Sequence, residues 1–134
     1  FKNVNVISFG IRNLSASEIK FYNNNRDRIE IFWAKDKSSW DKNKIKEKIL
    51  NKNIYITFDV DGFDSGIMPA TGTPEPGGLF WDDVIPIIKN ICKNSNVVGA
   101  DINELAPIKN FDSYNFLVAK LAYKILSYTF EFKK

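Results

Sequence analysis

The sequence predicts an α/β protein, a three-layer α/β/α arrangement around a mainly parallel sheet. Three observations predict it. Short runs of β-branched and aromatic residues alternate with polar segments of helical potential along the whole chain. The strands are apolar on both faces, which is how strands read when helices cover both sides of a parallel sheet. No internal repeat and no linker interrupts the alternation, so residues 1–134 read as one piece of one domain.

Taken in order, "NVNVISFG" is the first strand, beginning at Asn3, and "SASEIKFYNNN" the first helix. "IEIFWA" is the second strand, and "SWDKNKIKEKIL" a helix in which Trp40, Ile45, Ile49 and Leu50 recur at helical spacing. "NIYITFDV" is a strand, followed by a Gly/Pro loop over residues 61–79. "FWDDVIPIIKNICKN" places Trp81, Val84, Ile85, Ile88 and Ile91 on one helical face, with Asp82 and Asp83 at the positive end of the dipole. Pro86 predicts an irregular start there, because it removes a helical hydrogen bond. "NVVGADINEL" is another strand. "FDSYNFLVAKLAYKILSYTF" is a helix with Asp112 as N-cap and a stripe through Leu117, Val118, Leu121 and Ile125.

Composition narrows the function classes. No apolar run approaches the roughly 20 residues that span a bilayer, so no membrane partner is expected. The single cysteine, Cys92, sits among Ile88, Ile91 and Trp81 and reads as a buried hydrophobe in a reducing compartment, with cytoplasm the expected location. The net charge of +3 hides an asymmetry: residues 1–52 hold 12 Lys+Arg against 6 Asp+Glu, and residues 53–134 hold 7 against 10. The lysines of "KDKSSWDKNKIKEKILNKN" separate apolar residues at helical spacing, the pattern of a solvated helix face, so no nucleic-acid partner is expected. The only methionine is Met68, and the chain is therefore expected to be a segment of something longer.

The acidic half contains "YITFDVDGFDSGIMPATGTPEPGGLF". Strand alternation would put Asp59 and Asp61 on one face at a strand's carboxyl end, where ligands of parallel sheets bind. Two carboxylates so close raise each other's pKa unless a cation compensates, and hard oxygen donors suit Mg²⁺ or Mn²⁺. Asp64 adds a third carboxylate in the turn. The alternative is that such aspartates only cap the following turn. The long loop favours function, since ordered loops of that length are usually functional, and its glycines allow close backbone approach.

"FDVDGFDSGIMPATGTPEPGGL" resembles the signature segment of the ureohydrolase family, the arginases and agmatinases, and "GADINELAPIKNFD" resembles its downstream partner. The similarity runs from "ISFGIRN" to the last helix. The resemblance implies an arginase-like fold and a site with two Mn²⁺ ions that activate a bridging water for attack on a guanidinium carbon, releasing urea and an amine. It implies Asp59 and Asp61 as metal ligands, Glu104 as the partner of the substrate guanidinium, and Thr73 as a polar residue near the reacting centre. It also implies a small cationic guanidino substrate and a homo-oligomer, trimer or hexamer. "TGTPEPGGL" is more similar to agmatinases than to arginases, which favours agmatine, giving putrescine and urea, and hence polyamine biosynthesis.

Two departures matter. Ser65 stands where the family usually has proline, and the sequence has no histidine, whereas the family draws histidines and further aspartates from segments nearer the amino terminus. Residues 1–134 are therefore expected to form the C-terminal portion of a single ureohydrolase domain, inactive alone. The alternative is a catalytically inactive ureohydrolase-like regulatory or oligomerisation partner. A third reading, a Mg²⁺-dependent phosphoryl-transfer domain, lacks any accompanying phosphate cradle. Asp101 reads first as a helix or turn cap, with membership of the site as the alternative, Glu75 as a surface loop residue, and Arg12 as either a subunit contact or a local ion-pair partner.

Overall fold

β1 (Val6–Ile11) and β2 (Ile29–Trp33) run parallel, with Val6 opposite Ile29 and Phe9 opposite Phe32, in a computed structural model that describes residues 4–133. A tight turn cannot join parallel strands, so the chain crosses over through α1 (Ala16–Asn23). Ser15 starts that helix with a reciprocal cap. Its hydroxyl accepts the Glu18 amide at 3.3 Å, and the Glu18 carboxylate accepts the Ser15 amide at 2.7 Å. The predicted start of the first strand at Asn3 lies outside the described residues. At its other end β1 runs past Gly10, whose φ of 79° accommodates a register slip between Phe9 and Ile11.

Trp40 departs from the predicted helical stripe. A 3₁₀ segment (Ala34–Ser39) ends at Trp40, and the indole N–H donates to the Trp33 carbonyl at 3.1 Å. Its ring meets Phe9 and Phe32 edge-on, at 5.7 and 5.9 Å, while those two stack at 4.9 Å. Burying one large ring against two others outweighs a helix propensity that is weak over this polar stretch. These elements form one unit, Phe1–Trp40; Asp41–Lys134 forms a second.

In the second unit α2 (Lys42–Ile49) is capped by Asp41, which accepts the amides of Asn43 and Lys44 at 2.9 and 3.2 Å. Ile45 and Ile49 are buried and the lysines between them are exposed, as the spacing predicts; Leu50 is exposed instead. β3 (Asn53–Asp59) and β4 (Asn96–Asn103) are again parallel, with Thr57 opposite Asp101 and Asp59 opposite Asn103. The crossover between them is the Gly/Pro loop and α3 (Trp81–Asn94), which packs on α2, β4 and α4 (Asp112–Glu131). Along β3 Ile56 is buried and Ile54 and Phe58 are half-buried, whereas Asn53, Tyr55, Thr57 and Asp59, which alternate with them, are exposed.

Two helix starts differ from expectation. α3 runs unbroken through Pro86, because the proline lies on the exposed side; Asp83 accepts the Phe80 amide at 2.8 Å in front of it. In α4 the N-cap position is held by Phe111, and Asp112 is the first helical residue, where its charge still meets the helix dipole and its carboxylate accepts the Asn115 side-chain amide at 3.4 Å. Leu121 and Ile125 are buried as predicted. Cys92 is buried near the Thr129 hydroxyl at 3.7 Å, and burial pushes its thiol pKa up, consistent with packing rather than reactivity. Among the described residues no helix is long and apolar enough to cross a membrane.

Candidate active site

The strand ends at Asp59, one residue after Phe58, and a 3₁₀ turn (Val60–Gly62) follows. The alternation that would place Asp59 and Asp61 on one strand face therefore stops before Asp61. Packing explains the break: Val60 and Phe63 are 0% and 1% exposed, and the Phe63 ring lies 5.2 Å from Phe58 and 6.5 Å from Trp81. Asp59 is exposed and Asp61 half-buried, on either side of that buried valine.

The loop beyond is held by a carboxylate that the sequence grouped with the other two. Asp64 accepts the backbone amides of Gly66 at 2.8 Å, Gly77 at 2.7 Å and Gly78 at 3.1 Å. Its own amide donates to the Leu79 carbonyl at 2.9 Å, so both ends of the loop meet there. Gly78 is obligatory: a Cβ on it would sit 2.6 Å from backbone atoms of Phe63 and Asp64. Met68, Ala70 and Leu79, also in the loop, are buried. Glu75, read as a surface residue, is half-buried.

Closure of this loop brings Thr73 to the strand tip, where its hydroxyl donates to Asp61 Oδ2 at 3.0 Å. The same loop meets the chain leaving β4, since Thr71 bridges to Leu105 and the Ala106 amide donates to the Ala70 carbonyl at 2.9 Å. Glu104 lies between that bridge and Asn103, the register partner of Asp59, and takes φ of 68°. Left-handed backbone at a non-glycine residue costs about 1–2 kcal/mol and persists where neighbours fix it. Glu104 and Thr73 are exposed. In the first unit the Arg12 guanidinium donates to the Gly10 carbonyl at 3.3 Å, a local contact.

Asp101 is not the cap that the sequence suggested. Its carboxylate accepts side-chain hydrogen bonds from Tyr55 at 2.9 Å, Thr57 at 2.8 Å and Asn103 at 2.7 Å. Hydrogen bonding from Thr57, then Tyr55, holds Asp101 below the usual aspartate range, and the same bond to Asp101 raises the Tyr55 phenol. The signal was present as polar residues at every second position, 55 and 57 on one strand and 101 and 103 on the next, but pairing them requires the register.

As a donor set, Asp59 and Asp61 offer carboxylate oxygens only, which suit a hard divalent cation such as Mn²⁺. Among the described residues no group of three or more His, Cys, Asp or Glu side chains stands together, so these two would supply part of a coordination shell. Bound there, such ions would polarise water for hydrolysis.

The fold has solved counterparts. An agmatine ureohydrolase of Thermoplasma volcanium superposes with a TM-score of 0.77 at 29% identity, over 92% of this chain and 42% of that one. The sequence profile of the arginase family matches residues 1–127, and the chain belongs to that family, the ureohydrolases. An N(1)-aminopropylagmatine ureohydrolase of Synechocystis is 40% identical over 103 residues, covering 75% of this chain and 33% of the relative. An agmatinase of Pyrococcus horikoshii is 33% identical over 123 residues, covering 92% and 42%. The chain thus spans between a third and a half of the length of these relatives. The resemblance read in the sequence holds at the level of family and fold.

Proposed function

We propose that this chain is the C-terminal portion of a single ureohydrolase domain in a manganese-dependent enzyme that hydrolyses a linear guanidino compound. Agmatine, giving putrescine and urea, is the first substrate. The observation that carries the reading is the Thr73–Asp61 hydrogen bond at 3.0 Å, which unites two residues singled out separately in the sequence. Around it, each side chain has a role of its own. Asp59 and Asp61 hold the metal ions. The Thr73 hydroxyl, by donating to Asp61, fixes the orientation of that carboxylate. The Glu104 carboxylate takes the forked N–H donors of the guanidinium and turns its carbon toward the metal-bearing tip. The acidic balance of residues 53–134 favours a cationic substrate.

The names of the relatives support agmatine and its aminopropyl derivative over arginine as substrates. The reading extends to a cytoplasmic homo-oligomer, trimer or hexamer, serving polyamine synthesis. The test is to assay the natural gene product with manganese against agmatine, N(1)-aminopropylagmatine and arginine. Urea release is expected, and Asp61→Ala is expected to abolish it and to lower manganese content. Glu104→Gln is expected to keep the manganese and lose at least about tenfold in kcat/KM. A wild-type protein that binds manganese without releasing urea from any guanidino compound would instead be the inactive partner.

A further inference from the structure

We propose that Asp101 is a positioning residue: its carboxylate ties the β3 tip, which bears Asp59 and runs on into the turn that carries Asp61, to the β4 tip, which leads into Glu104. The proposal rests on the function proposed above. Both carboxylate oxygens are used. Oδ2 accepts from Tyr55, and Oδ1 accepts from Thr57, directly opposite in the register, and from Asn103, two residues further along β4.

Asn103 is the link to the site. It is the last residue of β4 and pairs in register with Asp59, while its side-chain amide donates to Asp101 at 2.7 Å and reaches Thr57 at 3.4 Å. Thr57 lies two residues before Asp59 on the same strand face. The next residue, Glu104, holds its left-handed backbone between two anchors, Asn103 on one side and the Leu105–Thr71 bridge on the other. Strand pairing alone fixes the backbones of β3 and β4; the shared carboxylate adds cross-strand side-chain bonds at the very end of the ladder, where pairing otherwise frays. A misplacement of about 1 Å at such a tip can cost around a hundredfold in rate.

The test uses Asp101→Ala, Asp101→Asn and Asn103→Ala in the natural gene product, with manganese and agmatine. Asp101→Ala is expected to lower kcat/KM by about tenfold or more, largely through KM, at unchanged manganese per folded molecule. Asp101→Asn retains an acceptor oxygen and is expected to recover most of the loss. The double variant Asp101→Ala with Asn103→Ala should be no worse than the poorer single variant, because both break one linkage. An unchanged KM, with activity falling only in step with the folded fraction, would overturn the assignment. Should Asp101→Ala not fold, Asp101→Asn and Asn103→Ala decide it by the same measures. If the wild-type protein releases no urea from any guanidino compound, the proposed function fails, and the linkage is then read from amide hydrogen exchange at Ala106, which donates to the Ala70 carbonyl just beyond Glu104. That exchange should accelerate about tenfold in Asp101→Ala, and an unchanged rate rejects the linkage.

Discussion

The long loop hangs on one carboxylate, since Asp64 gathers amides from both ends of residues 64–78. Asp64→Ala would leave three amides without their acceptor, and a loss of about 2 kcal/mol or more is expected in the urea midpoint. Gly78→Ala drives a methyl group into the backbone of Phe63 and Asp64, and a loss of about 1–3 kcal/mol is expected from the same measurement; an unshifted midpoint would mean the loop moves aside freely. Protonation at Asp101 gives a third residue-level test. Its folded pKa is lowered, so its contribution is present above the unfolded aspartate value and fades as pH falls through the folded one. The stability gap between wild type and Asp101→Asn should therefore hold from pH 7 down to the ordinary aspartate value, about 3.9, and shrink below it. Tyr55 has the opposite sign: its raised pKa stabilises below the ordinary phenol value, and that is lost in strong alkali. At this scale the sequence named Asp59, Asp61, Thr73 and Glu104, but it did not show what Asp64 and Asp101 hold together. A carboxylate's role is set by its donors, and those come from positions 13 and 46 residues away.

Helices depend on different supports. α1 buries none of its residues, so its cap weighs heavily. Ser15→Ala should lower stability by about 1 kcal/mol, seen as a drop in the melting temperature of the first unit. α3 has the opposite problem, a proline that removes one backbone bond on its exposed side. Pro86→Ala restores that bond and is expected to raise stability by about 1 kcal/mol or more; a fall would show that the proline is fixing something the helix needs. The eight strands and helices were legible because each combines a hydrophobic period with a cap or breaker. Their ends were less so. Trp40 left its predicted helix for an aromatic cluster, and Asp112 moved from the cap into the first turn.

On the scale of the whole molecule, α4 shows what the 134 residues leave uncovered. Phe116, Tyr123, Leu126 and Phe130 are 71%, 61%, 57% and 69% exposed. Expressed as these residues alone, the protein is expected to bind a hydrophobic dye and to self-associate, and Phe116→Ser with Phe130→Ser should reduce both signals in light scattering and fluorescence. Monomeric, dye-free behaviour of the unaltered chain would contradict this.

The sequence by itself determined the α/β class, the order of the elements, the family and the two acidic motifs, because these follow from local periodicity and from short contiguous patterns. Only the tertiary structure decided that the strand stops at Asp59, that Thr73 reaches Asp61, that Asp64 closes the loop, and that Asp101 joins two strand tips. Each of these depends on a hydrogen bond or a buried side chain between residues distant in sequence. Register and packing select such partners, and no local pattern encodes them.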